Sequence, residues 1–544
     1  MRCLSLSAML AITGWSLLAV SLSCHVYVAT TNFSDTKRST SYYGDMPAEN
    51  FDEQPVVTHQ YDAVIVGAGW AGLKAAKTLL DSGVSNILVL EANDYIGGRS
   101  KSVNQDGSIN VPSTSIDNIP AELGSEWLYD HNFMAKYLKK EANFNEMASA
   151  FVIDPNAYSG LLKSAQFYKQ TRLGDGTLHT KELKDKTTYK DKVWERIRIF
   201  RRDRLKKLKK GDESWGETFD SYKTKKDLTG KEIAFIDLLE DVAKIEYTCE
   251  SDKMSLRHND LLDQSVPTTR YMGIPGLGFG NVASRFGQQF SSKINLNSKV
   301  IEINHYDGGQ HAFVKYTSNG RIVEVAAKTV LVTASLGVLK AGTIKFSPRL
   351  PRYKREIIDG MGFGVVNKCS MYWNDASNMV WPADVFWFKL ISAEETRWTY
   401  FFNPSSYKGT PTLTAWIGGE DAVKMERRTD EEVMNKFVMK NLKSMFPSIR
   451  YPDRVIVTRW SQEENIRGTY SYAAAHRDFT RDAKGLKRRV GRLWFAGEAT
   501  ASPWHGTTVG AWATGKDAAQ DMAETLMPPI GVSPHRRGES EVYQ

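Results

Sequence analysis

Residues 62–99 read DAVIVGAGWAGLKAAKTLLDSGVSNILVLEANDYIGGR, and this stretch decides the fold of the chain. Residues 63–67 form a short apolar run, which predicts a strand buried on both faces. Residues 73–80 carry apolar side chains at helical spacing, and an Asp-Ser-Gly stop signal follows them. Residues 86–90 predict a second buried strand, which ends at Glu91. The stretch therefore predicts a strand, a glycine turn, a helix and a parallel strand.

Gly67, Gly69 and Gly72 stand in the order G-x-G-x-x-G between the first strand and the helix. In such a turn the first glycine permits a sharp bend and the second lets the backbone approach a pyrophosphate. The third lets helix and strand pack closely, and the helix N-terminus offers N–H groups to phosphates. Glu91 follows about 20 residues later, where an acid accepts a ribose hydroxyl. The pattern predicts a dinucleotide site.

A second glycine pair, Gly97 and Gly98, is followed at once by Arg99. A glycine pair and a fixed cation suit a flavin dinucleotide, whose phosphates and ring reach further across the sheet than a ribose-bound adenine. This run resembles the start of the flavin-containing amine oxidases, in which an equivalent arginine lies against the cofactor. An arginine that forms a salt bridge in a loop is the alternative. The resemblance implies FAD as the cofactor.

The other end of the chain carries a matching motif. Residues 493–498 read LWFAGE, a strand that ends in Gly497 and Glu498, and a helix then opens near Thr507. The resemblance places Glu498 beside the ribityl and phosphate region of the flavin. Many amine oxidases carry a tyrosine where this chain has Thr507, whereas the histone demethylase branch carries threonine. Without that tyrosine, a small monoamine held between two aromatic rings is less expected, and the site has room for a long substrate.

A lysine in the middle of the chain is the predicted catalytic residue. Residues 361–373 read MGFGVVNKCSMYW and resemble the segment of polyamine oxidases and flavin histone demethylases where a lysine meets the flavin through a water. This resemblance implies that Lys368 holds a water near flavin N5 and favours hydride acceptance and reoxidation. A solvated surface lysine is the alternative. In an apolar pocket, desolvation would disfavour the ammonium unless it is hydrogen-bonded.

The motifs and the resemblance assign contacts to both ends of the chain and to single positions between them. The expected cofactor contacts are Gly67, Gly69, Ala71, Gly72, Glu91, Ala92, Arg99, Leu123, Gly124, Val300, Trp460, Gly497, Glu498, Thr507, Thr508 and Val509. The expected substrate contacts are Tyr129, Asp130, Glu246, Glu250 and Trp504. Either Glu246 or Glu250 would face the distal ammonium of a polyamine, although each, taken singly, is more typical of a surface acid.

The motifs, together with the resemblance, imply an α/β fold with two interleaved domains. An FAD-binding, Rossmann-like domain of the GR2 type would comprise residues 61–132, 265–350 and 485–526. An α+β substrate domain, built on a mixed sheet with helices, would comprise residues 133–264 and 351–484. A chain of 544 residues with 41% hydrophobic residues is long and apolar enough to bury two cores.

The middle of the chain has two further patterns. Residues 133–262 are expected to be helical, and within them residues 192–210 carry ten basic against two acidic residues. That surplus equals the formal net charge of the whole chain, +8. We expect a solvated helix packed by one face, with contact to an anionic membrane surface as the alternative and no nucleic acid partner. Aromatic runs in residues 387–419 predict half-buried strands that would wall an apolar tunnel.

The N-terminal residues predict the secretory pathway. Residues 1–24 combine one cation, an apolar core and small residues, as a signal peptide does, and an uncleaved signal-anchor is the alternative. Residues 25–60 and 527–544 are polar and predict a disordered stalk and tail. The protein is thus expected to be secreted or extracellular, or else membrane-anchored. Cys249 and Cys369 can pair or stay free, and the oligomeric state is open.

The resemblance implies an FAD-dependent oxidase that acts on a small-molecule amine with O₂, preferably a polyamine. Hydride would pass from the carbon beside the amine to the flavin, the imine would hydrolyse, and O₂ would reoxidise the flavin and give H₂O₂. A secreted L-amino-acid or monoamine oxidase is an alternative; an amino acid oxidase would need an arginine for the carboxylate. A non-catalytic binding protein, like the Rab-escort relatives, is the alternative from another class. Glu498 and Lys368 argue against it, and no metal-ligand spacing is present.

Overall fold

The structure is a computed structural model that describes residues 57–103, 121–126, 128–129, 134, 138, 151–153, 165–173, 178–182, 195–225, 228–259, 271–273, 278–306, 309–391, 398–405 and 411–527. The predicted signal segment, most of the predicted stalk and the tail beyond Met527 lie outside these ranges. The last residues of the predicted stalk, 57–60, belong instead to the first strand, because they extend its pairing with a neighbouring strand.

The strands, in chain order, are β1 (Val57–Val66), β2 (Ile87–Leu90), β3 (Ser102–Val103), β4 (Ala121–Glu122), β5 (Leu128–Tyr129), β6 (Phe151–Ile153), β7 (Ala165–Arg172), β8 (Leu178–Glu182), β9 (Tyr271–Gly273), β10 (Ile294–Asn295), β11 (Ser298–Asn304), β12 (Ala312–Ser318), β13 (Arg321–Val332), β14 (Lys345–Ser347), β15 (Gly362–Gly364), β16 (Val366–Tyr372), β17 (Trp387–Ile391), β18 (Tyr400–Phe402), β19 (Thr412–Gly418), β20 (Arg454–Val457), β21 (Tyr470–Tyr472) and β22 (Leu493–Phe495).

The helices are α1 (Trp70–Asp81), α2 (Glu195–Leu208), α3 (Trp215–Lys225), α4 (Gly230–Tyr247), α5 (Phe279–Gln288), α6 (Leu336–Ala341), α7 (Arg352–Gly360), α8 (Gly419–Met425), α9 (Asp430–Val433), α10 (Met439–Met445), α11 (Phe479–Lys487) and α12 (Thr508–Leu526). A π-helical turn, Met434–Val438, joins α9 to α10.

The first sheet has eight strands in the order β10-β2-β1-β13-β12-β11-β14, and β22 pairs with the end of β13. β1 pairs in parallel with β2 and with β13, as a βαβ unit requires. Every residue of β2 is buried, because helices cover one face of the strand and a second hydrophobic cluster covers the other face. The predicted strand, turn, helix and parallel strand are thus all present, and the fold is α/β.

The glycine turn packs as the sequence predicts. Gly67 has a φ of +104°, a conformation that side chains rarely adopt. A Cβ on Gly72 would lie 1.9 Å from the carbonyl oxygen of Gly67, so that α1 starts directly against the turn. On its other side α1 crosses α12, where a Cβ on Gly515 would lie 2.1 Å from the oxygen of Ala71. The first helix and the last helix of the described chain therefore touch through their backbones.

The second sheet has seven strands in the order β20-β16-β19-β18-β17-β7-β8. Its centre is antiparallel, and the predicted aromatic runs form β17, β18 and β19. The strands of the first sheet fall within the segments predicted for the FAD-binding domain, apart from the start of β1. Those of the second sheet fall within the segments predicted for the substrate domain. The domain boundaries themselves stay a prediction.

The prediction that residues 133–262 are helical is wrong for part of that region. β6, β7 and β8 lie in it, and β7 adds to the second sheet by parallel pairing with β17. The sequence of β7, AQFYKQTR, lacks a helical apolar stripe and instead completes the sheet beside an aromatic strand. The later part is helical, as α2, α3 and α4.

The basic helix α2 packs by one face, with Ile197 buried, and its arginines mostly find partners within the chain. Arg204 binds the Glu213 carboxylate, and Arg201 donates to the backbone oxygen of Leu256. None of the described helices is both long and apolar enough to cross a bilayer.

Candidate active site

A cavity of about 430 Å³ lies between the two sheets. One end is lined by the glycine turn and Glu91, and the other by aromatic side chains of the second sheet. Lys368 and Trp460 line the stretch between the two ends. The volume falls within the range usual for small-molecule sites, about 300–1,000 Å³. Most of the residues predicted for the site line this one cavity, although they come from segments far apart in sequence.

The nucleotide end is built on Glu91, which follows β2. Its carboxylate accepts hydrogen bonds from the backbone N–H groups of Ala68, at 2.7 Å, and Asn93, at 2.9 Å. Burial raises the pKa of Glu91 despite these bonds. A buried carboxyl that faces a cavity is suited to accept hydroxyl hydrogen bonds from a ribose. Ala92 and Val300 line the cavity beside it.

Arg99 and Glu498 lie at the centre of the cavity and join distant parts of the chain. Arg99 Nη1 lies 2.8 Å from Glu498 Oε1, and Arg99 also donates to the backbone oxygen of Thr469. Glu498 Oε2 accepts from Ser471 Oγ at 2.6 Å and from the Gly506 N–H at 2.9 Å. Burial alone would raise the pKa of Glu498, but Arg99 and these hydrogen bonds outweigh it and hold the pKa below its usual value. Glu498 is therefore an anion.

Lys368 is buried and reaches back to the segment that follows β4. Its Nζ donates to the backbone oxygens of Glu122 and Gly124, at 3.0 and 2.9 Å, and lies 3.0 Å from Glu126 Oε2. Gly124 allows this segment to run tightly, since a Cβ there would lie 1.7 Å from the oxygen of Arg99. Lys368 is therefore no solvated surface lysine, and its ammonium is held inside the cavity by three acceptors.

Trp460 covers the same segment from the side. Its indole N–H donates to the oxygen of Leu123 at 3.2 Å, and its ring lies against Gly124. Leu123, Gly124 and Trp460 all line the cavity, as the sequence predicts for cofactor contacts.

The C-terminal helix α12 points its N-terminus at the cavity. Thr507 caps the helix by accepting from the Gly510 N–H, and Thr507 and Thr508 line the cavity together with Gly497. Three predicted contacts are corrected here, because Gly72, Val509 and Trp504 do not line the cavity. Gly72 instead packs against the backbone oxygen of Gly67. The Val509 side chain is buried in the core cluster that contains residues of α1 and α12. Trp504 is 39% exposed and lies outside the cavity lining, so it offers no aromatic surface to a substrate there.

The structure separates the two candidate glutamates at the end of α4. Glu246 lines the cavity, and burial of this region by protein raises its pKa. Glu250 lies outside the lining; its carboxylate is 3.1 Å from Lys244 Nζ and accepts from the N–H of Glu420 at the start of α8. The prediction that Glu250 contacts substrate is therefore corrected, whereas Glu246 is in place for that role. The side chain of Tyr129 and the whole of Asp130 lie outside the described residues.

Backbone contacts fix the position of Glu246. α4 begins with a capping box between Thr229 and Glu232 and ends at Thr248, whose φ is +63°. At that end Tyr470 Oη donates to the oxygen of Ile245 at 2.9 Å. A Cβ on Gly418 would lie 2.1 Å from the oxygen of Lys244, so that α4 packs directly on the end of β19.

Three aromatic side chains of the second sheet form one wall of the cavity, and the sequence did not predict them individually as site residues. The Trp387 ring lies 4.6 Å from that of Tyr400 and 6.2 Å from that of Trp416, and all three line the cavity. Lys389, two positions after Trp387 on β17, is also buried, and its Nζ lies 4.5 Å from the centre of the Tyr400 ring. The sequence contained a sign of this residue, because a lysine interrupts the apolar run WFKLI at a strand position that is normally apolar.

Cys249 and Cys369 are both buried and free, which decides the alternative that the sequence left open.

The site fits a dinucleotide. α1 has Gly69 as its N-cap and no side-chain cap, so that its first N–H groups remain available beside the cavity residues Trp70 and Ala71. The buried carboxyl of Glu91 lies at one end of this cradle, and the N-terminus of α12 lies at the other. A cradle of this kind suits a pyrophosphate between a ribose and a second polar chain.

Comparison with known proteins identifies the family to which the chain belongs. The family model for flavin-containing amine oxidoreductases matches residues 70–523, which is most of the chain. The chain belongs to the flavin-containing amine oxidoreductase family. It is therefore an FAD-dependent amine oxidoreductase, and FAD is the group that the dinucleotide cradle holds.

Relatives within this family include plant polyamine oxidases. Polyamine oxidase 2 of Arabidopsis thaliana is 27% identical over 496 residues, which cover 90% of this chain and 91% of that protein. Polyamine oxidase 3 of Oryza sativa subsp. japonica is 28% identical, covering 87% of this chain and 94% of that one. Lysine-specific histone demethylase 1 homolog 1 of Arabidopsis thaliana is 27% identical over 85% of this chain but only 52% of its own length.

Solved structures of the same family share the fold. Wild-type putrescine oxidase bound to putrescine superimposes with a TM-score of 0.62 and 19% identity, covering 85% of this chain and 99% of that chain. At this identity the likeness establishes the architecture of the flavin amine oxidase and does not extend to its substrate.

Proposed function

We propose that this amine oxidoreductase is a polyamine oxidase. When bound, FAD supplies hydride acceptance from the carbon beside an amine; imine hydrolysis follows, and O₂ takes up the electrons to give H₂O₂. The observation that carries the proposal is that one cavity is lined by Lys368, by Glu246 and by the aromatic side chains of the second sheet. Relatives named as polyamine oxidases, at about the same length, support the same substrate class.

Different sets of cavity residues have different roles in the proposed reaction. Arg99 and Glu498 form an ion pair, and Lys368 is held by the backbone oxygens of Glu122 in β4 and of Gly124 just after it. The rings of Trp387, Tyr400 and Trp416 line the part of the cavity in which an aliphatic chain would lie. An anion at the far end would attract a polar or charged end of the substrate and so orient the reacting carbon.

An L-amino-acid oxidase is a weaker reading of the same site. Such an enzyme would need an arginine to bind the substrate carboxylate. Among the cavity-lining residues of the described chain, the arginine is Arg99, and its guanidinium is engaged by Glu498 and Thr469. The geometry therefore favours an amine without a carboxylate.

A peroxide-coupled assay of the purified yellow protein tests the proposal. The panel contains spermine, spermidine, acetylated polyamines, a monoamine and an L-amino acid. We expect peroxide with at least one polyamine or acylated polyamine and much lower rates with the monoamine and the amino acid. A higher specificity constant for the amino acid or the monoamine than for every polyamine would overturn the proposal.

A further inference from the structure

Glu126 brings to the site a carboxylate that the sequence motifs do not mark. Its Oε2 lies 3.0 Å from Lys368 Nζ, and the side chains of Lys368 and Glu126 are only 4% and 5% exposed. Both residues line the cavity. A buried ion pair therefore lies within the active site.

The ammonium of Lys368 has three N–H donors, and each of them has an acceptor within the chain. The backbone oxygens of Glu122 and Gly124 accept two, and the carboxylate of Glu126 accepts the third. The ring of Trp416, on the paired strand β19, lies 4.5 Å from Nζ. A buried ammonium keeps its proton only where hydrogen bonds and an opposite charge replace the lost water, and among these three acceptors Glu126 supplies the full negative charge.

The backbone that carries Glu126 is fixed by the run that contains Arg99. The N–H of Leu123 donates to the oxygen of Lys101 at 2.9 Å, and the N–H of Ser125 donates to the oxygen of Arg99 at 3.1 Å. The carboxylate of Glu126 is thus presented to the lysine from a segment that is hydrogen-bonded on its other side.

Two further titratable side chains lie close to this pair. The carboxylate of Glu122 accepts from the N–H of Phe279 and from Ser102 Oγ. Tyr372 lies on the same strand and face as Lys368. Burial raises the pKa of Tyr372, and the negative charge of Glu126 raises it further, so that Tyr372 stays neutral. These neighbours leave Glu126 as the side-chain anion in contact with the lysine.

Resting on the FAD-dependent reaction and on the role expected for Lys368, we propose that Glu126 is the positioning residue of this lysine. Its carboxylate keeps the buried lysine charged and fixed in the cavity. Reduced flavin passes two electrons to O₂, which takes up two protons and becomes H₂O₂. Negative charge develops on oxygen during this step, and a fixed cation in a buried site stabilises it.

The pH dependence of flavin reoxidation tests this role. Glu126→Gln keeps the shape of the side chain and removes its charge. Enzyme reduced with dithionite is mixed with O₂ at a series of pH values, and flavin absorbance gives the rate. Without the carboxylate, burial should make Lys368 lose its proton at lower pH, so that the alkaline fall of the rate moves down by about 1–2 pH units. An alkaline fall at the same pH as in the wild type would overturn the inference.

Further variants separate charge from packing. Glu126→Asp keeps the negative charge and should keep the wild-type profile, and Glu126→Ala replaces Glu126→Gln if the latter fails to load FAD. Glu213→Gln is the matched control, because Glu213 is a buried carboxylate that binds Arg204 away from the cavity. It should lower stability and leave the profile unchanged. A shift of equal size in Glu213→Gln would contradict a specific role of Glu126.

A double-mutant cycle gives a readout that needs no turnover. Lys368→Met leaves Glu126 buried without this cation, and Glu126→Gln leaves the ammonium without this anion, so each single variant should unfold at lower urea concentration. The double variant removes both charges, and its loss should be smaller than the sum of the two single losses. In the Lys368→Met background, Glu126→Gln should not change the reoxidation rate further.

Additive losses of stability and of reoxidation rate would contradict the coupling between the two residues. Neither measurement uses an amine. An enzyme that oxidises no polyamine would therefore refute the function proposed above and leave this test intact.

Discussion

At the scale of single residues, Lys368, Arg99 and Glu498 are each held by a partner from a distant segment. Lys368 is held by acceptors about 240 positions away in the chain, and Arg99 by an acceptor 399 positions away. The sequence predicted Lys368, Arg99 and Glu498 because family motifs mark them. It did not indicate that Glu126 binds Lys368, since no local pattern encodes a contact between segments so far apart in the chain.

Replacing Lys368 by methionine should uncouple cofactor binding from turnover. The variant should load FAD, since Arg99, Glu498 and the glycine turn do not depend on this ammonium. Turnover and flavin reoxidation should each fall by about tenfold or more, because positioned proton and charge donors contribute about 10²–10⁴ to such steps. Flavin absorbance measures loading, and rapid mixing of the reduced enzyme with O₂ measures reoxidation.

The matched control for this variant is Lys436→Met, which removes a surface lysine. It should retain the wild-type rates. Normal turnover in Lys368→Met would show that the lysine has no part in the reaction.

Replacing Glu498 by glutamine should destabilise the protein in a pH-dependent manner. Since the folded-state pKa of Glu498 lies below 4.5, its charge stabilises the fold above pH 4.5, and this contribution is lost as the pH falls through the folded-state pKa. At neutral pH the variant should lose about 1–3 kcal/mol of unfolding free energy, less than a fully buried pair would cost because Arg99 is partly exposed. Urea unfolding at a series of pH values measures both effects.

The difference in stability between wild type and Glu498→Gln should shrink as the solution becomes acidic. A gap of constant size from neutral pH down through the acid range would mean that Glu498 is not the stabilising anion described above.

At the scale of elements, the glycine turn and α1 were predictable because each step is local. Buried strands, G-x-G-x-x-G and a terminal acid are patterns within 40 residues of chain, about the length of one βαβ unit. The strands β6, β7 and β8 were not predictable in the same way. β7 forms a strand because β17 offers it an edge, and that edge lies more than 200 residues later. Pairing at such a distance overrides weak local preference.

Two helical glycines give opposite predictions for the same change. Gly72→Ala places a Cβ 1.9 Å from the oxygen of Gly67, which would push α1 off the turn. This variant should lose FAD binding and unfold at lower temperature. Gly230→Ala introduces a Cβ that meets no atom within 4 Å, and it should bind FAD normally with stability unchanged or raised by up to about 1 kcal/mol.

Fluorescence quenching of FAD measures binding in both proteins, and thermal unfolding measures stability. Equal FAD affinity in the two variants would contradict the tight packing described for the start of α1.

At the scale of the whole molecule, interleaving of the two sheets was expected from the order of the motifs, whereas the aromatic wall of the channel came from contacts between strands. Trp387, Tyr400 and Trp416 look like ordinary core residues when each is read in its own strand. Only the antiparallel order of β17, β18 and β19 brings them together as one surface.

We propose that the protein enters the secretory pathway. The proposal rests on the apolar run that follows Met1 and Arg2, which lies outside the described residues. Full-length protein expressed in secreting cells should appear in the medium with an N-terminus near residue 25, or in the membrane fraction if the segment stays uncleaved. N-terminal sequencing of the recovered protein measures this, and retention in the cytosol with Met1 intact would contradict it.

The ion pair between Arg99 and Glu498 also has a consequence for biosynthesis. A ribosome must add 399 residues after Arg99 before Glu498 is made, and the N-terminus of α12 follows later still. During most of its translation, the nascent chain therefore contains the glycine turn and Arg99 but not Glu498 or α12. Flavin loading in the cell must follow completion of the polypeptide, and flavin supply would then govern how long newly finished chains wait in the apo form.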